Sequence, residues 1–170
     1  MTIRILMTGG TIDGRSLSPG KSKRPDSFVP RMLKEAKVSV PLRTELICQK
    51  DSRLLNETDR RRILSSCMGS EEKQIVITHG TYTLAETAAY LGPKIKDKTV
   101  VLTGSMVPFS ENGSDAMFNL GAALAAVQLL GSGVYVLIGA RVFDWDNVRK
   151  NQKTKKFEEI TEHSEAPRKR

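Results

Sequence analysis

Two threonines occupy the same kind of position in this sequence, each directly after a glycine that closes a short apolar run. Thr11 follows Met7–Gly10, and Thr81 follows Ile77–Gly80. Glycine permits positive φ angles and close backbone approach to a ligand, and the free N–H groups of the next turn can hold an oxyanion. A threonine hydroxyl placed there can attack a carbonyl when a base removes its proton. The two turns therefore predict a site for acyl-transfer chemistry.

Each turn taken alone also permits a purely structural interpretation. The hydroxyl of Thr11 could close its own turn, and Thr81 could be the N-cap of the helix that follows. His79 lies beside a glycine turn without a G-x-S-x-G motif, which favours a packed or turn-capping residue over a catalytic base. The sequence contains no G-x-G-x-x-G or Walker motif, and its other histidine, His163, lies near the C-terminus. Neither a nucleotide cofactor nor a metal is therefore predicted.

The threonine turns need strands to position them, and apolar runs alternate with helical patterns along the chain. Strands are predicted at Ile3–Met7, Leu42–Cys48, Gln74–Thr78, Thr99–Thr103 and Val134–Ile138. Helices are predicted at Val29–Lys37, from Asn56 as N-cap to Met68, at Thr83–Leu91 and at Ser114–Leu130, and a long mobile loop at residues 14–30. This alternation indicates a doubly wound, mostly parallel α/β sheet with helices on both faces. Ligands bind such sheets beyond the carboxyl ends of the strands, where both turns would lie.

Length and composition fit one globular domain. The chain has 170 residues, of which 39% are hydrophobic and 27% charged, and it has no apolar run long enough to span a membrane. The N-terminal residues lack the features of a signal peptide and are interpreted as the first strand. Cys48 and Cys67 occur in unrelated patterns, which predicts neither a disulfide framework nor a metal site, and favours the cytoplasm.

The net charge of +8 is concentrated in two segments. Residues 149–170 hold eight Lys or Arg against four acidic residues, and residues 15–34 hold six against one. Such segments attract nucleic acid by simple electrostatics. Neither interleaves aromatic residues with basic ones as single-strand binding surfaces do, so solvated loops are the favoured interpretation. A basic nucleic-acid-associated protein stays a third hypothesis, and nucleic acid is not predicted as a partner.

Several motifs resemble the signatures of the L-asparaginase/glutaminase family. They are T-G-G-T-I at Thr8–Ile12, I-T-H-G-T-x-T-L-x-E-T-A at Ile77–Ala88 and V-V-L-T-G-S-M-x-P at Val100–Pro108. Asp51-Ser52 resembles the family's Asp-Ser turn, and Val148–Asn151 resembles the segment with its catalytic lysine. The matches run in order over residues 2–152. The resemblance implies an asparaginase-like α/β domain at 1–152, corresponding to the family's N-terminal domain only, and a polar, basic C-terminal tail at 153–170.

The resemblance also implies an activity and a set of site residues. The activity is conversion of L-asparagine to L-aspartate and ammonia through a threonine nucleophile and an acyl-enzyme, without a cofactor or metal. Thr11 matches the nucleophile, Thr81 the second catalytic threonine, and Lys150 the lysine that activates it. The implied substrate-binding residues are Gly10, Asp51, Ser52 (for the α-carboxylate), Gly80, Tyr82 and Ser105 (for a backbone contact to the amide).

Three features depart from the family pattern. Tyr82 stands where the family has an aspartate that helps to bind the substrate's amino group and to tune Lys150. Residues 14–30 contain no tyrosine where the family has one near the nucleophile, and Phe28 is their only aromatic residue. Usual members have a second domain that completes a neighbouring subunit's site, so the resemblance is to short, single-domain members that form homo-oligomers. The alternative function is a catalytically weakened, asparaginase-like amino-acid-binding protein.

Overall fold

A six-stranded sheet forms the centre of the computed structural model, which describes residues 1–13 and 27–160. The strand order is β2-β1-β3-β4-β5-β6, with the first five strands parallel and β6 antiparallel at one edge. The strands are β1 Ile3–Gly9, β2 Leu42–Lys50, β3 Gln74–Thr78, β4 Thr99–Thr103, β5 Gly133–Ile138 and β6 Arg141–Asp144. The predicted mostly parallel sheet is therefore confirmed. The short edge strand β6 was not predicted.

Helices cover both faces of the sheet, as predicted. They are α1 Val29–Glu35, α2 Glu57–Gly69, α3 Leu84–Leu91 and α4 Ala116–Leu129. Apolar side chains of α2 and α3 pack in one core cluster, and those of α1 and α4 pack in the other. Asn56 caps α2 as predicted, because its side chain accepts from the N–H of Asp59 while the Asp59 carboxylate accepts from the N–H of Asn56.

The central strands are nearly continuous runs of Ile, Val and Leu because both of their faces are covered. Alternate residues feed opposite clusters: Ile75 and Ile77 of β3 face α2 and α3, whereas Val76 faces α1 and α4. The chain passes from β1 outward to β2 and then crosses back to β3 on the other side of β1. This reversal opens a crevice beyond the carboxyl ends of β1 and β3, and both threonine turns begin there.

The folded part of the chain extends past residue 152. Arg149–Lys150 forms β7, which pairs in antiparallel fashion with β8, Phe157–Glu158. Phe157 is buried in the core cluster that also contains apolar residues of α2 and α3. Part of the segment assigned to a basic tail therefore packs on the domain, whereas residues 161–170 and most of the expected mobile loop lie outside the described residues. No helix in the described ranges is long and apolar enough to cross a membrane.

Candidate active site

The two threonine turns are in direct contact. Gly10 has a φ of +84°, and a Cβ atom on it would collide with the backbone N and Cα of Gly80. A Cβ atom on Gly80 would lie 2.7 Å from the hydroxyl oxygen of Ser52. Only glycine fits at both positions, because a side chain on Gly10 would separate the two turns and one on Gly80 would displace Ser52. The sequence uses these two glycines to bring three chain segments together.

A cavity of about 270 Å³ lies over this contact. Seven predicted site residues line it, namely Gly10, Thr11, Asp51, Ser52, Gly80, Thr81 and Tyr82. Four further lining residues were missed by the sequence analysis: Arg53, Met106, Pro108 and Glu111. Arg53 could have been found, because it directly follows the Asp-Ser turn. Met106 and Pro108 belong to the Val100–Pro108 motif quoted above, although neither was named as a site residue. Glu111 lies beyond that motif on the loop between β4 and α4, and nothing in its type or spacing indicates a site.

Ser52 presents a buried hydroxyl whose acceptor side is already engaged. It opens a 3₁₀ turn, Ser52–Leu54, for which Asp51 is the N-cap. Its side-chain oxygen accepts from the backbone N–H groups of Tyr82 at 3.2 Å and Thr83 at 3.4 Å. The hydroxyl proton is therefore left to donate, which suits a ligand oxygen such as that of a carboxylate.

Asp51 is a paired carboxylate. The guanidinium of Arg53 donates to it through Nε at 3.1 Å and Nη2 at 2.7 Å, and the backbone N–H of Arg53 donates to it at 2.8 Å. The side-chain hydrogen bond from Arg53 is the main reason that the pKa of the Asp51 carboxyl lies below its usual range. The carboxylate therefore fixes Arg53 at the edge of the cavity.

Lys150 meets Thr81 from the opposite side. Its Nζ atom lies 2.7 Å from Oγ1 of Thr81, whose side chain is almost wholly buried. Burial lowers the pKa of the Lys150 amine, and the positive charge of Lys155 lowers it further. An amine that loses its proton more readily can take the hydroxyl proton of Thr81. The geometry thus pairs the Thr81 hydroxyl with an amine that could accept its proton.

Tyr82 lies among cationic groups. The guanidinium carbon of Arg53 and Nζ of Lys150 each lie 4.8 Å from the centroid of its ring, and Nζ of Lys155 lies at 5.9 Å. These are cation–π distances. The side chain is 43% exposed, so it forms part of the cavity's rim.

Two further residues, Ser105 and His79, are fully buried, and this burial limits what they can do in the site. Ser105 is fully buried and does not line the cavity, and its hydroxyl has no hydrogen-bond partner among the described residues. His79 is also fully buried, with hydrogen bonds to the carbonyl of Gly80 and to the hydroxyl of Thr87. Burial lowers the pKa of His79 to about 4, which supports the interpretation of a packed turn residue. Thr81 is not a helix N-cap, because Thr83 occupies that position in α3.

Comparison with known proteins identifies the family of this chain. The family model described as "Asparaginase, N-terminal" matches residues 2–167. The chain belongs to the asparaginase family. It is 34% identical over 154 residues to the L-asparaginase of Thermococcus kodakarensis, an alignment that covers 84% of this chain and 47% of that protein. It is 32% identical over 165 residues to L-asparaginase 2 of Escherichia coli, covering 89% of this chain and 47% of that protein.

Solved structures of asparaginases have the same fold. The thermostable L-asparaginase from Thermococcus kodakarensis superposes with a TM-score of 0.81 at 32% identity, over 94% of this chain and 51% of that one. A probable cytoplasmic L-asparaginase from Campylobacter jejuni superposes with a TM-score of 0.73 at 30% identity, over 88% and 48%. The chain therefore spans about half the length of these family members.

Proposed function

We propose that this chain is an amidohydrolase that releases ammonia from the side-chain amide of L-asparagine through a threonine nucleophile. The observation that carries the proposal is the 2.7 Å contact between Lys150 Nζ and Thr81 Oγ1, beside a cavity that Thr11 also lines. Membership of the asparaginase family supports the reaction class. The proposal places Ser52 at the substrate's carboxylate, because its hydroxyl proton is available and its oxygen is held by two backbone amides.

The proposed reaction has two steps. In the first, Oγ1 of Thr11 attacks the amide carbonyl carbon, and the C–N bond breaks to give an acyl-enzyme ester and ammonia. Thr81 with Lys150 takes the hydroxyl proton of Thr11 during the attack and delivers it to the leaving nitrogen, while backbone N–H groups of the two glycine turns stabilise the oxyanion. In the second step, water attacks the ester, the C–O bond breaks, and L-aspartate leaves with Thr11 restored.

A non-catalytic amino-acid-binding protein on the same scaffold is the competing function. The two functions differ in ammonia release, because a binding protein leaves the amide of L-asparagine intact and a hydrolase cleaves it. Incubating the purified chain with L-asparagine and measuring free ammonia distinguishes the two. If the protein is folded, as judged by a cooperative unfolding transition, and binds L-asparagine without releasing ammonia, then it is a binding protein and not a hydrolase.

Asparagine is expected to be hydrolysed in preference to glutamine. The cavity is small, about 270 Å³, and one additional methylene typically changes transition-state binding by about 1–3 kcal/mol. We expect kcat/KM for L-asparagine to exceed that for L-glutamine by at least about tenfold, the lower end of that range. Ammonia release from both amides under the same conditions measures the ratio. Equal turnover of the two would contradict the proposed fit between cavity and substrate.

Ammonia release is expected to rise with pH as Lys150 loses its proton. Burial and the charge of Lys155 both lower the pKa of Lys150. Ammonia release should therefore increase at pH values below the ordinary lysine pKa of about 10.4. Lys155→Gln removes one repelling charge, so the pKa of Lys150 rises and the ascending limb of kcat/KM moves to higher pH. Lys153→Gln, on the same β7–β8 connection, is the matched control and leaves the limb in place. If the ascending limb of kcat/KM in Lys155→Gln stays at the parental pH or moves to lower pH, then Lys150 is not the base.

The proposal includes a homo-oligomer and a cytoplasmic location. The exposed rim at Tyr82 and Glu111 leaves one side of the cavity open to a neighbouring subunit. Both cysteines are free thiols, which suits a reducing compartment.

A further inference from the structure

The charge around Ser52 suits a carboxylate without a neighbouring ammonium better than it suits a zwitterionic amino acid. The α-carboxylate and α-ammonium of an amino acid are bonded to the same carbon, so a carboxylate held by Ser52 places the ammonium among the neighbours of Ser52. The charged and aromatic residues that line the cavity on the Ser52 turn and on the turn that it contacts are Asp51, Arg53 and Tyr82. An ammonium there needs an anionic acceptor, since a charged donor without a partner is costly when removed from water.

Neither candidate acceptor beside Ser52 is free. The Asp51 carboxylate already accepts three hydrogen bonds from Arg53. The electron-rich ring of Tyr82 could receive a cation, but Arg53 and Lys150 already lie 4.8 Å from its centroid. A third cation would meet repulsion from Arg53, and from Lys150 as long as its amine is protonated. The groups next to Ser52 thus attract an anion and oppose an ammonium.

Among the described residues, Glu111 is the remaining carboxylate that lines the cavity. It has no ion-pair partner within residues 1–13 and 27–160, and it lies on the exposed loop between β4 and α4 rather than on the turns that hold Ser52. Water screens an exposed carboxylate of this kind strongly. It is therefore a weak acceptor for an ammonium, and its contribution can be tested separately.

We infer that the site prefers amides that carry a carboxylate but no α-ammonium, with succinamate as the simplest four-carbon example. This inference rests on the proposed amide hydrolysis and specifies its substrate class. Succinamate has the same carboxylate, the same amide and the same carbon chain as L-asparagine. The two differ only in the amino group, so the ratio of their kcat/KM values reports directly on the charge around Ser52.

The test compares kcat/KM for succinamate and L-asparagine by ammonia release. We expect succinamate to be favoured by at least about tenfold, the ratio that corresponds to about 1.4 kcal/mol. Equal values, or a preference for L-asparagine, would overturn the inference. Glu111→Gln adds a second check: if it reduces the L-asparagine rate severalfold and leaves the succinamate rate unchanged, then Glu111 is the ammonium acceptor and the inference is wrong.

Two variants of Tyr82 test the cause of the preference. Tyr82→Asp introduces a carboxylate beside Arg53 and Lys150, so it should raise kcat/KM for L-asparagine by about tenfold and lower that for succinamate, reversing the order. Tyr82→Phe keeps the ring and its cation contacts and should retain the parental order. An unchanged ratio in a well-folded Tyr82→Asp variant would show that position 82 does not set the preference.

A binding measurement separates this inference from the proposed function. In a Thr11→Ala background, calorimetry with succinate and L-aspartate reports the charge preference without any turnover. Tighter binding of succinate supports the inference even if the parent releases ammonia from neither amide, an outcome that would refute only the hydrolase. Tighter binding of L-aspartate would overturn the inference whatever the catalytic result.

Discussion

Thr11→Ala is expected to reduce ammonia release from L-asparagine by at least about a thousandfold, because the acyl-enzyme cannot form without the Thr11 hydroxyl. The folded state should change little, since one small residue replaces another at a partly exposed position on the Thr11–Asp13 turn. We therefore expect the unfolding midpoint to stay within about 2 °C, which corresponds to about 0.5–1 kcal/mol for a domain of this size.

Thr44→Ala is the matched control for this prediction. Thr44 is an exposed residue of β2, near the end of the strand that is remote from the cavity. The same chemical change there should leave both turnover and stability at the parental level. Parental ammonia release by Thr11→Ala would show that another residue is the nucleophile.

Lys150→Met is expected to reduce kcat/KM for L-asparagine by roughly a hundredfold to ten-thousandfold, the usual contribution of a positioned general base. Methionine retains most of the side chain's apolar stem, so the packing of β7 should persist while the contact at 2.7 Å to Thr81 is lost. Lys153→Met, at an exposed position three residues later, is the control and should have little effect.

The double variant Lys150→Met with Thr81→Val tests whether these two residues act as a unit. If the lysine serves only to activate Thr81, the double variant should lose about as much activity as either single variant, because residues that act together are strongly non-additive. Losses that multiply would assign the two side chains to separate steps. A loss of less than about threefold in Lys150→Met alone would remove the lysine from the chemistry, since a general base contributes far more.

The elements that carry a strong periodic signal could be predicted from the sequence. β1, β3 and β4 are apolar runs that end in glycine or threonine turns, and Asn56 marks the start of α2 with a standard capping box. The meeting of the two glycine turns also follows, once β1 and β3 are placed side by side in a parallel sheet. These features depend on local chemistry and on one general property of α/β sheets.

Features that depend on tertiary packing could not be predicted in the same way. β6, β7 and β8 contain at most four residues each, too few to show a period. The placement of Glu111 depends on the path of the loop after β4, which Asp115 fixes by accepting from the N–H groups of Met106 and Val107. The cations around Tyr82 come from distant chain segments, so no sequence pattern reveals that they surround it.

Lys150 lies on the two-residue strand β7, and this position affects how the proposed amide hydrolysis responds to heat. β7 and β8 are joined by only two paired positions, outside the six-stranded sheet whose strand β3 leads into the Thr81 turn, and Phe157 anchors them in the core. A small unit of this kind opens at a lower free energy than a central sheet. Amide hydrogen exchange should therefore be faster at residues 149–158 than in β3. The lysine would leave the threonine before the domain unfolds, and heat inactivation would precede global melting.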